Sequence, residues 1–231
     1  MNRADELIGR ASAPLLFAAA GAGLLIAQGL LPAYPAATAG QVAVAAAHRG
    51  AETGAVVAFL VAGALLVLGI AASSGLALRR GRALTRVGVV LTAVGALWPI
   101  AGRAGFTATL VAVTGGDRTS AVSAIHAVSN SGAFALFLPL LVAFVVGPIL
   151  LALGLRRAGA LPVWPVLLWL AGVLIVNGAE DSSRVVATLG MAAVAAALAW
   201  IGRGVGALSA SVPATTETST DDFRQGASSL A

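Results

Sequence analysis

The stretch AVVAFLVAGALLVLGIAASSGLALRR, residues 55–80, decides the fold. Ala55 to Leu78 carries no charged side chain and stops on Arg79-Arg80. A helix needs about 20 mostly apolar residues to cross about 30 Å of hydrocarbon, and this one is apolar around its whole circumference. It therefore predicts a lipid-embedded helix ended by paired arginines at a membrane surface. The whole chain shares this character: of 231 residues, 59% are hydrophobic and 10% charged, and the mean hydropathy is +0.96. A soluble domain carries about 25% charged residues. Soluble, disordered, collagenous and coiled-coil classes are excluded for the bulk of the chain.

Five further segments qualify as spans: Ala13–Leu31, Leu84 to beyond Trp98, Ala133–Leu155, Pro162–Val176 and Val185–Ile201. The expected fold is all-α, a six-helix transmembrane bundle over residues 1–204. The first span imitates a signal peptide, but its apolar core exceeds the usual length of about 7–15 residues, so a retained helix is expected. From Val205 the composition turns to Ser, Thr, Gly and acids, which cannot bury enough apolar surface to offset ordering entropy. Residues 205–231 are expected to form a disordered cytoplasmic tail.

The net charge is +5, and all fourteen basic residues are arginines that gather at the ends of apolar runs. This is a topology signal, and nucleic acid is excluded as a partner. One predicted face receives Arg3, Arg10, Arg79, Arg80, Arg82, Arg86, Arg156, Arg157, Arg203 and Arg224. The other receives Arg49, Arg103, Arg118 and Arg184, beside the acids Glu52, Asp117, Glu180 and Asp181. The bias predicts a multi-pass protein of the bacterial inner (plasma) membrane with both termini in the cytoplasm. Its expected partners are the lipid bilayer and another membrane protein or a second copy of the chain.

Helix rise shows that three segments overshoot the membrane on the outer side. Counting from Arg79, Arg86 and Arg156, the spans leave the hydrocarbon near Phe59, Arg103 and Leu136, yet helix-favouring sequence continues beyond each. Residues 36–54 and 104–132 are therefore expected to form a small helical outer cap. "LALRRGRALTRVGVVLTAVGALW" at 76–98 also echoes "LALGLRRAGALPVWPVLLWLAGV" at 151–173, as a parallel repeat of two helix pairs would.

The polar residues of this outer face are the candidates for function. Arg103 stands inside an apolar run just after Trp98-Pro99, and burial there calls for an acidic partner among Glu52, Glu180 and Asp181. His48 and Glu52 lie four residues apart on one helix face, and His126 and Asn130 repeat that spacing. His48, Glu52, Arg103, His126, Asn130 and Asp181 are the expected ligand- or partner-binding residues. His48, His126 and Glu52 are the weak candidates for a metal, although neither a metalloprotease spacing nor a cysteine is present. Asn177, Glu180, Asp181 and Arg184 fit the cap of a last helix, and Ser129-Asn130-Ser131-Gly132 lacks the nucleophile-elbow pattern. No cofactor and no catalytic residue are expected.

Together, the short spans, the "LRRxG" hairpins, the long outer segment between the third and fourth helices and the Ser/Thr tail resemble the uncharacterised six-helix integral membrane proteins of high-GC bacteria. The resemblance covers roughly Ala11 to Arg203 and implies a fold type without an activity. Rhomboid protease, lipid phosphatase and phosphatidyltransferase motifs are absent. The expected function is that of a non-enzymatic accessory, sensory or interaction subunit with a polar outer cap. The alternatives are a small-molecule transporter, suggested by the echo and the kinks at Pro99, Pro139 and Pro148, and a membrane enzyme or metal-binding protein using the outer His/Glu/Arg residues.

Overall fold

The computed structural model describes residues 3–35, 37–73, 80–130, 132–179 and 183–210. Their regular elements are all helical: α1 (Arg3–Leu30), α2 (Thr38–Ala47), α3 (Arg49–Ser73), α4 (Arg82–Gly95), α5 (Gly105–Val113), α6 (Arg118–Asn130), α7 (Ala133–Arg157), α8 (Trp164–Ala179) and α9 (Arg184–Ala210). A π-helical turn, Trp98–Ala104, joins α4 to α5. Five helical stretches are long and apolar enough to cross a membrane: Ser12–Leu30, Arg49–Ser73, Arg82–Val113, Phe137–Arg157 and Arg184–Ser209. α8, with 16 residues, is shorter. At 1.5 Å per residue it extends about 24 Å, against about 30 Å of hydrocarbon. Large apolar side chains are exposed on every long helix, among them Leu15, Val57, Val90, Leu138, Leu174 and Leu189. Lipid solvates such a surface; water does not.

One expected boundary moves. α9 continues to Ala210, and Val205, the expected start of a disordered tail, is fully buried. Apolar packing carries the helix past the compositional shift. Residues 211–231 lie outside the described set.

The helix ends follow from local chemistry. α7 finishes in a glycine-dependent cap: Gly159 adopts a φ of 82°, and its N–H donates to Arg156 O while the Ala160 N–H donates to Leu155 O. Gly81, with a φ of 75°, starts α4 against the backbone of Gly154, where any side chain would collide.

The long helices pack as two groups. α1 lies between α3 and α9, and α8 covers the other flank of α9. α4 pairs with α7 and not with α3, its neighbour in sequence. That pairing is glycine-built: Gly88 meets the Leu151 backbone, Gly95 that of Phe144, Gly147 that of Thr92 and Gly154 that of Thr85. Small residues at alternating spacings of three and four let the two backbones touch. The buried hydroxyls of this seam are satisfied within their own helix, Thr92 Oγ1 donating to Gly88 O at 2.6 Å and Thr85 Oγ1 to Gly81 O at 3.1 Å.

Above one end of the bundle, α2, α5 and α6 form a small layer with its own core of Val42, Ala45, Leu110, Ala121 and Ile125. This cap end holds the C-terminus of α1 and the N-termini of α3, α7 and α9.

Candidate functional site

The two helix groups separate where the third long stretch changes its winding. Pro99 has no N–H to give to the preceding turn, and the helix widens into the π turn Trp98–Ala104. Gly102 leaves the space that the Trp98 ring fills. Trp98, Gly102 and Arg103, all from this turn, line a cavity of about 340 Å³. Its polar wall adds Tyr34, Gln41, Thr107 and Asn177, and its apolar wall Leu31, Phe106 and Leu141. A narrow extension of about 30 Å³ runs inward between Leu24, Phe59, Phe144, Val173, Val176, Met191 and Val194. Trp98, Arg103, Leu141 and Asn177 line both spaces, so Arg103 stands at the junction of a polar mouth and an apolar slot. The larger volume falls within the range of about 300–1,000 Å³ usual for small-molecule pockets.

Arg103 is half-buried, and its guanidinium lies 5.6 Å from the Phe59 ring centre while one nitrogen donates to Gln28 Oε1 at 2.7 Å. Gln28 is itself buried in the last turn of α1. A neutral amide orients the guanidinium without cancelling its charge. The partner found is thus an amide in place of the expected acid. Of the three acids named, Glu52 bonds elsewhere, and Glu180 and Asp181 lie outside the described residues.

Glu52 is fully buried in the first turn of α3. Its Oε1 accepts a hydrogen bond of 2.6 Å from the Tyr34 hydroxyl. Its Oε2 is buried and has no hydrogen-bond partner, unlike every other buried side-chain polar atom among the described residues. Tyr34 therefore connects the cavity wall to an incompletely satisfied carboxyl group behind it.

The remaining sequence candidates do not converge on this point. His48 ends α2 one turn before Glu52, but its ring is exposed and lies 3.1 Å from Val44 O. His126 is exposed on α6, and Asn130 ends that helix with its side chain outside the described set. No group of three His, Asp or Glu residues able to hold a metal occurs among the described residues. Two exposed histidines and one buried carboxyl do not form one coordination shell. The other arginines of this face serve helix ends: Arg184 donates to Gly29 O at the end of α1, and Arg118 to Ala39 O at 3.3 Å.

Comparison with known protein families, known proteins and solved structures finds no match for this chain. The functional reading therefore rests on the cavity itself. Gln28, Tyr34, Gln41 and Thr107 were not among the sequence candidates. The one sequence signal that pointed to the cavity was an arginine inside an apolar run after Trp98-Pro99.

Proposed function

We propose that this is a six-span inner-membrane protein, with α8 as its short span and both termini cytoplasmic, that binds a small amphiphilic anion at its outer end. It acts as a non-enzymatic sensory or accessory subunit responding to that ligand. The observation that carries the reading is Arg103 at the junction between a polar mouth and an apolar slot. A charged side chain at membrane depth is costly, and a built cavity around it is the mark of a ligand site. The charged end of the ligand would meet Arg103, and its apolar chain the slot beside Phe59 and Val176. The arginine bias supports the orientation. Reporter fusions at Gly159 and Gly115 test it: an external signal at Gly159 contradicts it.

Binding is tested with octanoate and inorganic phosphate as probes on the full chain in neutral maltoside micelles. Octanoate is expected to raise the melting temperature and phosphate to do so less, because phosphate leaves the slot empty. Arg103→Leu removes a charge-assisted hydrogen bond and should weaken octanoate binding at least about tenfold. Equal binding by wild type and variant overturns the reading. A membrane lipid can offer the same chemistry. If phosphatidylglycerol in phosphatidylcholine nanodiscs competes with octanoate, the occupant is a lipid; if it does not, the occupant is a soluble anion.

A transport reading has one observation in its favour: the π turn and Pro139, two breaks in helix regularity, both adjoin the cavity wall at Trp98 and Leu141. Octanoate uptake into proteoliposomes separates transport from sensing.

A further inference from the structure

We propose that Tyr34 and Glu52 couple binding of the anion in this cavity to uptake of one proton. The inference rests on the anion reading of the cavity and adds a second chemical species to it.

Three observations meet here. Tyr34 lines the cavity beside Arg103. Its hydroxyl is committed to Glu52 Oε1 at 2.6 Å. Glu52 is fully buried, with Oε2 lacking any hydrogen-bond partner. An ionised carboxylate can only accept, so it holds the tyrosine proton turned away from the cavity. A protonated carboxyl group can donate instead. The short contact then reverses: the carboxylic O–H donates to the Tyr34 oxygen, and the phenol proton is released to donate to an anion beside Arg103.

Charge points the same way. An anion entering while Glu52 is ionised sets two negative charges near the single positive charge of Arg103, in surroundings where Coulomb forces are weakly screened. Taking one proton from solvent onto Glu52 as the anion enters leaves the total charge of the site unchanged. The balance is one anion in, one proton onto the Glu52 carboxyl, and Tyr34 keeping its own proton throughout.

Few other charged groups stand near Glu52. α2 ends in the exposed His48, α3 itself contributes Arg49, and the π turn contributes Arg103, while the last turn of α1 offers the neutral Gln28 and α5 has no ionisable residue. Arg49 reaches toward the turn after α5, with Nη2 3.9 Å from where a Gly115 Cβ would stand. Only His48 could mimic the effect by titrating in the same range.

The test is calorimetric titration of the full chain with octanoate, from mildly acidic to mildly alkaline pH, where octanoate stays ionised. Two buffers of different ionisation enthalpy report the protons taken up directly. Wild type should take up close to one proton and lose affinity about tenfold per pH unit on the alkaline side. Glu52→Gln should bind with no proton uptake and a flat pH profile. Tyr34→Phe should bind about tenfold more weakly at acidic pH, having lost the donor. His48→Gln should keep the wild-type slope. Binding by wild type without proton uptake overturns the coupling even if the Glu52 variant fails to fold. So does a slope that survives in Glu52→Gln or disappears in His48→Gln. If octanoate binds at no pH, the anion reading fails and this coupling with it; a flat profile with tight binding removes the coupling alone.

Discussion

Two seams run through this molecule, and they are built on opposite principles. Between α4 and α7, small residues bring backbones into contact and every buried hydroxyl is satisfied within its own helix. Between the α4/α7 pair and the α1/α3/α8/α9 group, large and polar side chains hold the elements apart around a cavity of about 340 Å³. There a buried carboxyl group keeps one oxygen unsatisfied. The same helix takes part in both, and its π turn marks the change from one to the other. A close seam gives rigidity, and an open one gives chemistry; here the departure from regular winding coincides with the departure from local polar satisfaction.

The largest effect should come from breaking the dry seam. Gly95→Leu places a side chain on the Phe144 backbone, which cannot move aside as a flexible side chain could. Overpacking among side chains costs about 1–3 kcal/mol, and a collision with backbone exceeds that range. The expected outcome is loss of the monodisperse peak in size-exclusion chromatography in mild detergent. Wild-type elution and melting would show that the seam tolerates separation and that its glycines are incidental.

A smaller and more selective effect is expected at the other seam. Pro99→Ala restores an N–H to the start of the π turn and permits regular α-helical winding, which rotates Arg103 relative to Gln28. Octanoate affinity should fall severalfold while the melting temperature stays near wild type. A variant that melts early but binds normally would make the π turn a packing feature and detach it from the site.

How much of this contrast the sequence discloses differs between the seams. Gly88 and Gly95 stand two turns apart on one face, so a close helix contact on that face is legible. That the partner is α7 is not, because 28 glycines are spread over the chain and only matched surfaces choose among them. Arg103 is legible as a charge in an apolar run. Gln28 is not, since a single amide 75 residues away leaves no periodic trace. Tyr34 reads as an interfacial aromatic anchor, and only the fold turns it toward Glu52, 18 residues on. The histidines drew attention by residue type, yet both are exposed, because type alone carries no information on which way a helix face turns.

The smallest effect sharpens the comparison from the satisfied side. Thr92 is buried in the α4/α7 seam, and its hydroxyl donates to Gly88 O at 2.6 Å, a carbonyl that the regular helix also supplies with a backbone donor. Thr92→Val replaces the hydroxyl with a methyl group of similar size and leaves no buried group without a partner. The loss should stay below about 1 kcal/mol, the net worth of one such bond. Thermal melting in maltoside checks it, with octanoate affinity expected to match wild type. A large loss would mean that the hydroxyl does more than satisfy itself, and the division between a self-contained seam and a chemically open one would have to be redrawn. A small loss at Thr92 beside a changed proton count at Glu52 would show that burial alone does not make a polar residue functional. The unsatisfied oxygen does.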